Sequence, residues 1–205
     1  MEKSVQQQVW ERIEGEASGW CCSRSDFSEL GTRMSISQSL SRLERGGKLM
    51  SPLRGYYYIP QYSKLLGERL PPDYGKLAEA IARDGGWTIL PCGDILLNEM
   101  GLSTQVPVVW NFVSTGPYRE YDVGGVRLSF RHTANRELFC MSRTSAKVVQ
   151  ALKSIGAACV TDAVVEKLRN RLSATERQQL LSETSRVTSW IFEYVKRIAR
   201  EDSDA

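Results

Sequence analysis

Three observations predict an α+β fold. Apolar residues recur at helical spacing in some stretches and in short strand-like runs in others. The segment "PQYSKLLGERLPP" has proline at both ends, and a Pro-Pro pair stops any helix, so it divides the chain. Ahead of that break the elements run helix, helix, helix, hairpin, the order of a winged helix-turn-helix. The predicted organisation is a winged helix-turn-helix over 1–60, a linker over 61–72, and a mixed α+β domain over 73–205 with a small antiparallel sheet and C-terminal helices.

Each element has its own signal. Val5, Val9 and Ile13 recur four apart, and Gly15 and Gly19 end that helix. A short helix is expected over about Ser25–Leu30, stopped by Gly31. The third helix spans about Arg33–Arg45, with Ile36, Leu40 and Leu43 on one face and Gly46-Gly47 closing it. "KLMSPL" and "YYYIP" flank a turn at Arg54-Gly55 and make a hairpin. The second domain opens with a helix over about Asp73–Arg83, striped by Tyr74, Leu77, Ala78 and Ile81. "WTIL" reads as a strand and "CGDILLNEMG" as a short helix. "VVWNFV", "YREYDV" and "VRLSF" read as strands, the last two joined by Gly124-Gly125. The remainder is helical. Ser173 and Glu176 have capping-box spacing, and Val187, Trp190, Ile191, Tyr194, Val195 and Ile198 stripe a last helix expected to dock on the core.

Composition narrows the chemistry. Hydrophobic residues are 41% and charged residues 25% of the chain, which supports a core and argues against wholesale disorder. The net charge of +3 does not identify a nucleic-acid binder, so that case rests on a local patch. No apolar run approaches the roughly 18 residues of a membrane helix. "MEKSVQQQVW" lacks the apolar core of a signal peptide, and a cytoplasmic location is expected. The cysteines Cys21, Cys22, Cys92, Cys140 and Cys159 are odd in number and contain no C-x-x-C pair, so they read as buried or incidental thiols. His132 is the single histidine, which removes most metal sites and weakens any nucleophile–imidazole scheme. No P-loop, G-x-S-x-G or H-E-x-x-H occurs. Neither a cofactor nor a metal is expected, and the chain does not read as an enzyme.

One local patch carries a binding chemistry. In a helix-turn-helix the second helix of the pair enters the major groove. With Ile36, Leu40 and Leu43 inward, Gln38, Ser41, Arg42 and Arg45 point outward, and Ser35 and Ser37 lie on the flanks. Arginine can grip guanine and glutamine adenine, and small serines let a helix sit deep. From Arg24 to Arg54 there are six basic and three acidic residues, a local balance of +3. Arg54 stands where a wing would touch phosphate. Winged helices also serve as protein-docking modules, and a serine-rich outer face is equally a solvated one.

"GLSTQVP" is the other distinctive stretch. Ser103 or Thr104 could act as a nucleophile only with His132 brought close, and no third orienting group can be named. Gly101 ends a helix and Pro107 restricts Val106 to extended backbone. Ser103, Thr104 and Gln105 are therefore expected in turn chemistry first, and in partner contact second.

Two long runs resemble a known family. They are "SRSDFSELGTRMSISQSLSRLERGGKLMSPLRGYYYIP" and "LAEAIARDGGWTILPCGDILLNEMGLSTQVPVVWNFVSTGPYR", followed by "VRLSFRH". The chain to about Gly156 resembles AbiEi-like antitoxins of abortive-infection, type IV toxin–antitoxin systems; the tail from Thr161 matches nothing. The resemblance implies a cytoplasmic DNA-binding antitoxin. It would repress its own operon through promoter DNA and counteract a nucleotidyltransferase-like toxin without a stable complex. Carried over, the DNA readers would be Arg33, Ser35, Ser37, Gln38, Ser41 and Arg42, with Arg54 in the wing. Direct neutralisation of the toxin, with the winged helix as a docking module, is the alternative.

Overall fold

The computed structural model describes residues 3–134 and 137–200 and is mixed α+β with small antiparallel sheets. It divides into two compact units, one of residues 1–87 with 121–128, the other of 88–120 with 129–205.

The first unit begins with α1 (Val5–Glu14), started by a capping box in which Ser4 and Gln7 satisfy each other's backbone N–H groups. Strand β1 (Cys21–Ser23) follows, then a single 3-10 turn (Arg24–Phe27), then α2 (Arg33–Arg45). Thr32 caps α2 by accepting from the Ser35 N–H. The helix ends on Gly47 at φ 73°, with Lys48 N–H donating to Leu43 O and Gly47 N–H to Glu44 O, a Schellman close that needs the left-handed residue. Strands β2 (Met50–Leu53) and β3 (Tyr56–Tyr58) make the expected hairpin. Val9, Ile13, Phe27, Ile36, Leu40, Leu43 and Leu49 bury together, each worth roughly 1.5–3 kcal/mol of transfer.

Within residues 1–60, two features depart from the sequence reading. Residues 24–27 form a 3-10 turn, not an α-helix, because Ser23 and Asp26 cap a single turn that Phe27 anchors in the core. Strand β1 was not foreseen; it pairs with β3 in register Cys21↔Tyr58 to Ser23↔Tyr56, so the sheet order is β1-β3-β2. Tyr56–Tyr58 is thus a central strand. Tyr58 is buried and its two neighbours are half-buried, so none of the three is fully exposed.

The segment 61–72, expected as a linker, carries a small hairpin, β4 (Tyr62–Ser63) and β5 (Glu68–Arg69). Helix α3 (Tyr74–Gly85), expected to open the second domain, packs on β1. Leu77, Ala78, Ala80 and Ile81 are buried. Arg83 Nε donates to Asp26 Oδ1 at 3.0 Å, and its Nη2 to the Cys21 carbonyl at 2.7 Å.

After α3 the chain forms β6 (Ile89–Cys92), α4 (Asp94–Glu99), β7 (Val109–Ser114), β8 (Arg119–Val123) and β9 (Val126–His132), all within the second unit except Tyr121–Leu128. The sheet order is β6-β7-β9-β8, and β6 and β7 are antiparallel. Helices α5 (Glu137–Cys140), α6 (Arg143–Ile155), α7 (Asp162–Arg171), α8 (Ala174–Glu183) and α9 (Ser189–Ala199) follow. Ser173 and Glu176 form the expected capping box of α8. Ile191, Val195 and Ile198 place α9 on a core that includes Leu96, Val148, Leu152, Leu168 and Leu180, as its stripe predicts. Phe112 and Phe130 stack at 5.5 Å between β7 and β9.

Burial governs the thiols. Cys21, Cys22 and Cys92 are buried and Cys140 and Cys159 exposed, all free. Desolvation pushes the Cys21 thiol up to about 12 and Cys92 to about 11, which leaves both protonated and unreactive at neutral pH. No described helix is long and apolar enough to cross a membrane, and the described residues contain no cluster of three or more metal-ligating side chains.

Candidate nucleic-acid interface

The outward face of α2 follows from its inward one. Ile36, Leu40 and Leu43 are nearly inaccessible, and at 100° per residue this turns Gln38 and Arg42 to solvent, with Arg33 exposed in the first turn. Among the described residues, the side chains of Arg33, Gln38 and Arg42 make no hydrogen bond or ion pair. An exposed arginine with several carboxylates nearby in sequence and no partner keeps all its donors available to a ligand.

The serines behave differently. Ser35 Oγ donates to Thr32 O at 2.9 Å, and Ser37 Oγ to Arg33 O at 2.8 Å. These back-bonds occupy the hydroxyl protons and leave each oxygen as an acceptor. Ser41 faces Arg45, whose Nε leans back on the Ser41 carbonyl at 3.4 Å. The serines thus contribute small size more than donor capacity. Met34, 71% exposed beside Arg33, was missed in the sequence because a single apolar residue off the core stripe carries no periodic signal.

Arg54 is exposed on the β2–β3 turn, and Gly55 behind it has φ 90°. Between that turn and α2 lies an open cleft of about 200 Å³, lined by Ser23, Arg24, Ser37, Arg54, Tyr57 and Asp84 among others. Two of these were invisible in the sequence. Arg24 enters through β1 and its 3-10 turn, and Asp84 through α3, which the sequence assigns elsewhere. The structure therefore brings Ser37 and Arg54 into one cleft with residues that linear spacing separates.

Asp84 organises the cleft floor. Its Oδ1 accepts from Ser25 Oγ at 2.6 Å and Ser23 Oγ at 3.2 Å, and its Oδ2 from the Tyr56 hydroxyl at 3.1 Å. Partial burial pushes its pKa up, but the bonds from Ser25, Tyr56 and Ser23 and the charge of Arg24 outweigh that, so it lies below the usual carboxylate value. Burial, and then the carboxylate beside it, push the Tyr56 phenol up, so it remains a donor. Tyr56 is thereby fixed in the central strand, one residue after the turn glycine.

"GLSTQVP" belongs to the other unit. Gly101, at φ 70°, closes α4 in a Schellman motif: Leu102 N–H donates to Leu97 O at 2.7 Å and Gly101 N–H to Asn98 O at 2.9 Å. Ser103 Oγ accepts from the Gln105 N–H at 3.2 Å, and the Gln105 carbonyl accepts from Asn98 Nδ2. Thr104 and Gln105 are exposed. His132 is engaged elsewhere, its Nδ1 2.9 Å from the Gly116 carbonyl. The loop bonds itself in the manner of a turn, and among the described residues no base is assembled at Ser103 or Thr104.

No curated protein matches the chain. It is similar to a solved structure, the crystal structure of RV2827C protein from Mycobacterium tuberculosis, at 13% identity and a TM-score of 0.45, over 95% of this chain and 75% of that one. A family profile matches residues 8–180, which takes in α2, the β2–β3 turn, the cleft and most of the second unit. The chain belongs to that family, DUF6088, a family of unknown function.

Proposed function

We propose that the first unit is a winged helix-turn-helix that binds duplex DNA, with α2 as the groove-reading helix and the β2–β3 turn as the wing. The observation that carries this reading is the unpartnered outward set Arg33, Gln38 and Arg42 on α2, with Arg54 at the adjacent turn. The strand-helix order supports it too: β1 pairs with β3 and frames the helices as a wing sheet would. On this reading Arg42 and Gln38 meet base edges, Arg33 and Arg54 meet phosphates, and Ser35, Ser37 and Ser41 allow close approach.

In the cell this activity is that of a cytoplasmic antitoxin and autorepressor of the AbiEi-like type. It acts on its own promoter and opposes a nucleotidyltransferase-like toxin, with no enzymatic activity of its own. That assignment rests on the ordered motifs from the D-F of Asp26-Phe27 to "VRLSFRH". Ser103, Thr104 and Gln105 remain a contact surface for that partner, since Thr104 and Gln105 are exposed.

The test is titration of the DNA upstream of the gene by mobility shift. Arg42→Ala should weaken binding by roughly tenfold or more, the loss of about 1–3 kcal/mol for a base-reading pair, with unchanged circular dichroism. Wild-type protein that binds no duplex, yet co-purifies with the toxin, would replace this reading with direct neutralisation through a docking winged helix.

A further inference from the structure

We infer that the cleft between α2 and the β2–β3 turn seats one backbone phosphodiester, held from two sides by Arg24 and Arg54. The inference rests on the DNA-binding reading and adds to it a residue, Arg24, and a defined ligand group. Arg24 and Arg54 both line the cleft, and neither makes a hydrogen bond or ion pair among the described residues. The carboxylate on the floor draws on Arg24 through its charge but forms no ion pair with either arginine among the described residues. Three hydroxyls already occupy Asp84, two on Oδ1 and one on Oδ2. Ser37 spends its proton on the Arg33 carbonyl. Tyr57 also lines the cleft, and its hydroxyl makes no hydrogen bond among the described residues.

The lining residues with donors not engaged in hydrogen bonds or ion pairs are thus Arg24, Arg54 and Tyr57. That set suits a tetrahedral oxyanion, which accepts from several directions at once. A cleft of about 200 Å³ is far larger than one water needs, so it admits the group with its ester oxygens. Its position selects the source. A duplex read by Gln38 and Arg42 must carry its sugar–phosphate strand past the turn that bears Arg54. Asp84, Tyr56, Ser23 and Ser25 act as positioning residues, holding the end of β1 and the start of β3 so that the two arginines share one space.

The salt dependence of binding tests this with the full chain and a mixed-sequence duplex. Each phosphate neutralised contributes about −0.9 to the slope of log K against log salt. If Arg24 and Arg54 share a phosphate, Arg24→Gln and Arg54→Gln each weaken binding about three- to tenfold while leaving the slope nearly unchanged. The double variant lowers the slope by about 0.9, and Arg24→Lys retains it. Two separate phosphates would give about 0.9 for each single variant and twice that for the pair, which overturns the shared seat. An unchanged double variant overturns it as well. In either case DNA binding weakened by Arg42→Ala leaves the broader reading standing. Binding of polyglutamate as tightly as of DNA assigns the cleft to another anion and also overturns the inference. Wild-type protein that binds no duplex at low salt removes both proposals together.

Discussion

Replacing Arg83 by alanine should cost the first unit about 2 kcal/mol. The magnitude follows from what the guanidinium touches. It donates to Asp26 at 3.0 and 3.3 Å and to the Cys21 carbonyl at 2.7 Å, and it lies 5.4 Å from the Trp20 ring centre. Bonds to charged groups are worth about 1.5–3 kcal/mol each when shielded. Here the arginine side chain is 39% exposed, so water replaces part of that and the ion pair is discounted to about 1 kcal/mol. The Asp26 side chain is only 12% exposed, and on losing Arg83 it keeps just the Ser23 N–H, at 2.8 Å, of its bonds. That residual desolvation and the contact with Trp20 add about 1 kcal/mol. Urea unfolding gives the free energy, and amide exchange in α3 and β1 locates it. Arg83→Lys should recover less than half, since an ammonium cannot hold Asp26 and a carbonyl in the same fork. A loss below about 0.5 kcal/mol, or exchange unaltered in α3, would show that apolar packing alone docks this helix.

Two further outcomes follow from the geometry. Because Asp84 lies below its ordinary value when folded, the unfolded chain binds more protons in that window; its contribution is present above the ordinary carboxylate range and is lost as pH falls through the folded value. Acid titration of stability in Asp84→Asn should be flatter there by less than about 1 kcal/mol, and an identical acid limb would mean that the three hydroxyls do not favour the ionised form. Gly101→Ala should cost about 1 kcal/mol by urea unfolding, because φ is 70° while the nearest outside atom to an added methyl is 4.0 Å away; a neutral result would show that the "GLSTQVP" turn has no need of left-handed backbone.

The periodic signals are legible in the sequence because they are local. The Ile36–Leu40–Leu43 stripe and the capping residues fix α2 within a residue of its observed ends, and the outward direction of Gln38 and Arg42 follows from that stripe. The Ser173–Glu176 box and the stripe of α9 were legible for the same reason. Strand β1 was not, since three residues show no alternation and its hydrogen bonds lie with Tyr56–Tyr58, more than thirty positions away. The 3-10 turn is not distinguishable from α-helix in the sequence, because one capped turn has the same residue preferences as the start of a longer helix.

What the sequence determined by itself was the α+β class, the order of the main elements, and an outward polar face on α2. Those follow from repeat spacing and caps, which act within a few residues. What only the tertiary structure decided was the company these residues keep. Asp84 and Arg83 belong with Ser23, Asp26 and Tyr56 because α3 packs on β1, and no spacing along the chain encodes that. Arg24 and Arg54 come to line one cleft through the pairing of β1 with β3. Long-range pairing is chosen by the free energy of burying a whole core, so the cleft it creates is a property of the fold rather than of any one segment.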